Sequence, residues 1–153
     1  MKDFINERWR PILAHNGLSG FDALWKLKAD WFEAPNHRRG GWSGVSRCEL
    51  ALPGGGTRAI FLKRQENHKA RLWTHPLRGA PTFLREFRHI QHYRACGVPT
   101  LEPVYFAMHK VGKDERAILV TEELTGFVSM EDRVRRWLKE GAPARPVRLR
   151  MLA

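Results

Sequence analysis

Cysteine is scarce in this 153-residue chain: Cys48 and Cys96 are the only two, far apart and set in ordinary core-like sequence. That excludes a disulfide-stapled secreted scaffold and points to a reducing compartment with buried thiols. Long apolar runs are also missing. No stretch approaches the roughly 20 apolar residues of a spanning helix, and the start, MKDFINERWRP, lacks the apolar run of a signal peptide, so the expected location is the cytosol. Acidic residues are few, 16 against 27 Lys and Arg, and the formal net charge is +11. Such a surplus raises the encounter rate with polyanions such as nucleotides, nucleic acid or anionic lipid head groups without choosing among them, and base composition of a genome can also produce it. No internal repeat is visible.

What is present is the material of one soluble domain. Apolar residues make up 42% of the chain and charged residues 28%, with six Trp and eight Phe. Ser19 and Asp22 have capping-box spacing ahead of Phe21, Leu24, Trp25 and Lys28, which predicts a short helix. Pro35, Asn36 and HRRGG break the pattern. From Val45 the chain alternates, with Cys48, Leu50 and Leu52 to one side, and Ala59 to Arg64 is again extended, so the two runs form a hairpin about the Pro53–Gly56 turn. Residues 65–80 read as a polar connecting loop. A helix follows over 82–95, ended by Gly97–Pro99, then strands over 101–109 and 116–121. Ser129 and Asp132 open a charged helix that stops near Gly141, and VRLRMLA starts another helical pattern.

Four features carry chemistry. The loop RRGGWSGVS can admit an anion, because Gly40, Gly41 and Gly44 let backbone N–H groups approach it, with Ser43 between them. Lys63 ends the apolar run Ile60-Phe61-Leu62, where alternation sets Phe61 and Lys63 opposite Ile60 and Leu62. It either reaches solvent or meets a partner. Glu86 falls within the helical stripe of Phe83, Phe87, Ile90 and Tyr93, where a carboxylate must be paired, with Arg94 as a local alternative. The buried run Ile118–Thr121 emerges into Glu122, Glu123 and Leu124, a connector whose backbone could meet the edge of an adenine.

Their order, glycine loop, strand lysine, helix glutamate and strand running into a connector, is that of a protein-kinase-like small lobe. The segments RRGGWSGV, FLKRQENH, HPLRG, PTFLREF, GVPTLEPVYF and ILVTEEL, over roughly residues 21–137, resemble the lipopolysaccharide kinase family of InaA and WaaP-like proteins. The resemblance implies an α+β fold, with a twisted antiparallel sheet and packing helix in a kinase-like lobe over 1–124 that carries an N-terminal helical extension. A connector and the first helices of an incomplete second lobe would follow over 125–153. It further implies ATP as cofactor, with Lys63 holding the α and β phosphates, Glu86 orienting Lys63, and the loop with Gly40, Gly41, Ser43 and Gly44 covering the phosphates. Thr121 would lie at the back of the pocket, and Glu122 and Leu124 would meet adenine through their backbones. The acceptor would be a lipopolysaccharide inner-core sugar of the heptose or Kdo type, reached near the anionic surface of the inner membrane.

Two departures stand out. Arg39 and Ser46 replace the first glycine and the valine of the kinase pattern Gly-x-Gly-x-x-Gly-x-Val, and Phe61 stands where protein kinases usually carry alanine over the adenine. Neither a His-x-Asp loop nor an Asp-Phe-Gly-like metal ligand follows the connector, so the expected Mg²⁺ ligands and the group acting on the acceptor hydroxyl belong to a missing lobe. The expectation is a truncated or frame-shifted chain, inactive by itself, rather than a half-fold that grips ATP weakly. A small basic protein binding nucleic acid or an anionic surface is the alternative class. Scattered basic residues, the lack of a nucleic-acid-binding motif, and tryptophans in core-like patterns weigh against it. His89 and His92, three residues apart, make a poor metal site.

Overall fold

The computed structural model describes residues 2–38, 40–72 and 75–150, and divides into two units, 1–123 and 124–153. The first unit is built on a six-stranded antiparallel sheet. In chain order its strands are β1 (Phe4–Ile5), β2 (Trp31–Arg38), β3 (Gly41–Ala51), β4 (Thr57–Glu66), β7 (Pro103–Val111) and β8 (Asp114–Glu122), arranged in space as β1-β7-β8-β4-β3-β2. A separate hairpin, β5 (Lys69–Leu72) with β6 (His75–Pro81), leaves the end of β4 and delivers the chain to helix α3 (Thr82–Ala95). Two short helices, α1 (Arg10–His15) and α2 (Phe21–Lys26), lie between β1 and β2.

Strand alternation sends β4 into two different environments. Ile60 and Leu62 point to a core shared with Trp9, Leu13, Phe21 and Leu24 of the α1–α2 segment and with Ile118 and Val120 of β8. The opposite face carries Phe61, Lys63 and Gln65 and is covered by α3, whose Phe83, Leu84, Phe87 and Ile90 pack on Phe106 and Leu119. The sheet is thus a layer between two helical coverings.

Several expectations need correction. Residues 31–38, taken as a break at Pro35, form β2. An edge strand tolerates proline because half of its N–H groups need no ladder partner, and β2 is irregular, with register shifts between Trp31 and Glu33 and between Glu33 and Asn36. Strand β3 accordingly begins at Gly41, not Val45. The segment 65–80 is no simple loop: β4 runs on to Glu66 and the β5–β6 hairpin follows, residues 73 and 74 lying outside the described ones. Ser19 does not cap α2. Its N-cap is Gly20, without a side-chain bond. Tyr93 is exposed, and Leu84 takes its place in the buried stripe. Among the described tryptophans only Trp9 is fully buried, and of the two free thiols Cys48 is buried while Cys96 is exposed.

The second unit holds α4 (Met130–Glu140) and α5 (Arg145–Arg150). Here the sequence signals act as expected: the Ser129 hydroxyl accepts from the Asp132 N–H at 3.0 Å, and Gly141, at φ +89°, ends the helix. Among the described residues, no helix is long and apolar enough to cross a membrane.

Candidate functional site

The α3-covered face of the sheet gathers the polar groups. Residues paired across antiparallel strands share a face, so the pairing of Val45 with Lys63 and of Lys63 with Leu119 places this lysine in the middle of the sheet, directly beneath α3. Its Nζ donates to Glu86 Oε1 at 2.5 Å, both side chains being about three-quarters covered. Lys63 does not end in solvent, and Arg94 goes to Glu102 rather than to Glu86.

What aims α3 so that Glu86 meets Lys63 is Gln65, two residues along the same face. Its Oε1 accepts from the Phe83 N–H at 3.0 Å and from the Thr82 hydroxyl at 2.8 Å, while its Nε2 donates to the His68 carbonyl at 2.7 Å. Pro81 at the N-cap offers no side-chain cap, so a strand residue satisfies a helix end from 18 positions away. Sequence spacing puts Gln65 on the Lys63 face, but nothing local connects it to Thr82.

The glycine segment becomes the β2–β3 hairpin. Gly40, at φ +77°, is at the exposed tip, beside an open cavity of about 530 Å³ lined by His37, Arg38, Gly40, Gly41, Trp42, Glu66 and Asn67. Ser43 pairs with Gln65 and so lies on the Lys63 face, one strand over. Gly41 and Gly44 have packing reasons of their own: a Cβ at Gly41 would lie 2.0 Å from the Glu66 carbonyl oxygen, and one at Gly44 2.6 Å from the Trp31 ring. Gly44 serves the face away from Lys63, where Trp31 also stacks on the Arg64 guanidinium at 4.8 Å.

Toward the other end of the face lies Phe61, paired with Arg47 on one side and with buried Thr121 on the other. Arg47 donates to both carboxylate oxygens of Glu123, at 2.7 and 2.8 Å, and to Glu49 at 3.0 Å. These hydrogen bonds raise the Arg47 pKa, and the Arg47 bond holds the Glu123 carboxyl below the usual carboxylate range. At the strand end the Glu122 N–H donates to the Glu102 carbonyl and the Glu123 N–H to that of Ala59. Leu124 opens the second unit. His89 and His92 are exposed, and among the described residues no group of three or more His, Cys, Asp or Glu could hold a metal ion.

A lysine from a central strand ion-paired to a glutamate of the helix that crosses the sheet is the arrangement the sequence order anticipated. Residues 22–153 match the Lipopolysaccharide kinase (Kdo/WaaP) family. The chain belongs to that family. It is 34% identical over 112 residues to Protein InaA of Escherichia coli (strain K12), a match covering 73% of this chain and 49% of InaA. Its fold is similar to that of a solved structure described as WaaP in complex with acyl carrier protein, with TM-score 0.56 and 21% identity over 94% of this chain and 49% of that one. The chain thus spans about half the length of the family members it matches.

Proposed function

We propose that this chain is the nucleotide-gripping part of an ATP-dependent kinase that phosphorylates a hydroxyl of a lipopolysaccharide inner-core sugar, of heptose or Kdo type. The single observation behind this reading is the Lys63–Glu86 ion pair, because a lysine held at 2.5 Å on a sheet face is oriented to meet the α and β phosphates of a nucleotide. In this reading the hairpin tip with Gly40 and Gly41 and the Ser43 hydroxyl cover the phosphates, while Gly44 keeps the hairpin packed. Thr121 forms the back of the pocket, and the Glu122 carbonyl and the backbone of Leu124 meet the base. Residues 1–124 make the nucleotide lobe, and 125–153 supply the connector and the first helices of a second lobe.

Phosphoryl transfer also requires ligands for Mg²⁺ and a group acting on the acceptor hydroxyl. The described residues offer no such metal cluster, so no transfer step is assigned to them. The part proposed for these residues is to bind ATP. The working place would be the cytosol at the inner membrane, where net charge +11 favours an anionic acceptor and an anionic surface.

A thermal-shift titration with Mg²⁺-ATP, run beside RNA and with Lys63→Ala as control, tests the proposal. Stabilisation by ATP that disappears in Lys63→Ala, with His89→Ala behaving as wild type, is the expected outcome. Equal ATP responses in wild type and Lys63→Ala would remove the pocket assignment. Stabilisation by RNA alone, equal in both and lost with added salt, would favour the basic binding protein.

A further inference from the structure

One feature of the Lys63 face has no part in phosphate binding. Strand β2 reaches β3 through a bulge: Trp31 is opposite Ser46 and Glu33 opposite Val45, so two residues of β2 answer to one step of β3. Such a bulge re-aims the extra side chain. Phe32 is that extra residue, and its ring stands edge-on to Phe61 at 5.0 Å and 66°, on the same face as Lys63. Phe32 is 62% exposed, so part of its ring is open to a ligand.

The surroundings give this pair a direction. From Lys63 the strand runs through Phe61 to Ala59, about 13 Å in all. Lys63–Glu86 marks one end, and the Arg47–Glu123 ion pair marks the other, joining β3 to the segment after β8 across the intervening β4. An apolar aromatic surface between a phosphate-directed lysine and a charged far edge is matched in length and polarity by a nucleotide lying base-outward along β4.

Building on the nucleotide reading of Lys63, we propose that the nucleobase stacks on the exposed ring of Phe32, a platform that Phe61 supports edge-on, making Phe32 a specificity-determining residue. Stacking reads the area of the π-face, so Phe32 favours purine over pyrimidine nucleotides, while the choice between ATP and GTP falls to the backbone at the end of β8. The aromatic residue in place of the small one usual over the adenine is then a means of recognition.

Calorimetric titration of the chain with Mg²⁺-ATP, Mg²⁺-GTP, Mg²⁺-CTP and inorganic tripolyphosphate tests this, using wild type, Phe32→Ala, Phe32→Tyr and Lys63→Ala. For wild type, ATP should bind about tenfold or more tighter than CTP and than tripolyphosphate. Phe32→Ala should lose about tenfold for ATP with tripolyphosphate unchanged, and Phe32→Tyr should recover the loss. Wild-type binding of ATP that Lys63→Ala abolishes and Phe32→Ala leaves intact would overturn the platform alone. Equal weakening of ATP and tripolyphosphate by Phe32→Ala, or a loss for GTP that differs about tenfold or more from the loss for ATP, would also overturn it. Failure of wild type to bind any of the four would defeat the nucleotide reading itself, and the platform with it.

Discussion

The two faces of the sheet are made from the same strands yet differ in purpose. Toward α1 and α2, β4 contributes Ile60 and Leu62 to a fully buried apolar core, and Arg64 on the same face is only 8% exposed. Among the described residues it has no carboxylate partner. Instead it donates to the carbonyls of Trp25 and Leu27 at the end of α2 and to Ser46, a use of cationic charge where helix carbonyls are free. Burial pushes its pKa down, although a guanidinium stays charged across the working pH range. Toward α3 the same strand contributes Phe61, Lys63 and Gln65, whose polar atoms go to helix residues rather than to a dry core. One face therefore sustains the fold, and the other arranges side chains whose exposed remainder is available to a ligand.

Neighbouring substitutions should separate these roles. Leu62→Ala, removing a fully buried side chain, should cost about 2–5 kcal/mol in chemical denaturation. The adjacent Lys63→Ala should cost less stability than Leu62→Ala yet remove ATP binding; an equal stability loss would erase the contrast between faces. Gln65→Ala leaves the Phe83 N–H without its partner, removes one bond to the His68 carbonyl and should cost about 1–3 kcal/mol, while also weakening ATP binding because α3 loses its anchor. Unchanged nucleotide affinity in a destabilised Gln65→Ala would show that Glu86 finds Lys63 without it.

A smaller effect is expected in the second unit, where Ser129→Ala should lower the helicity of α4, at a cost of about 1 kcal/mol, without touching the sheet. Circular dichroism on a thermal ramp would register it. The last prediction concerns pH and the α1–α2 face. Burial, then the bond from its hydroxyl to Asp3 at 2.7 Å, push the Tyr105 pKa well up. In the folded state the phenol stays neutral while in the unfolded chain it ionises near pH 10, so the unfolded form gains by losing a proton and stability falls as pH rises past about 10. Tyr105→Phe should show a shallower alkaline decline; an unchanged slope would assign that decline to other groups.

Much of this was legible in residue order. Alternation separated Ile60 and Leu62 from Phe61 and Lys63, the 3.6-residue period located α3 and put Glu86 on its covered side, and Ser129 with Gly141 bounded α4, because each signal acts over a few residues of backbone geometry. Family resemblance supplied the order of the site. What the sequence concealed depends on neighbours far along the chain. Strand β2 contradicts its local breakers because pairing with β3 outweighs the preference of Pro35, and the β5–β6 hairpin was masked by polar composition. Gln65 caps a helix 18 residues away, and the bulge that turns Phe32 toward Phe61 exists only when β2 lies against β3. Residue order alone establishes which side chains can carry charge, burial and helix ends. Which of them meet depends on pairing in three dimensions, since register and long-range hydrogen bonds are properties of paired segments and no single segment contains them.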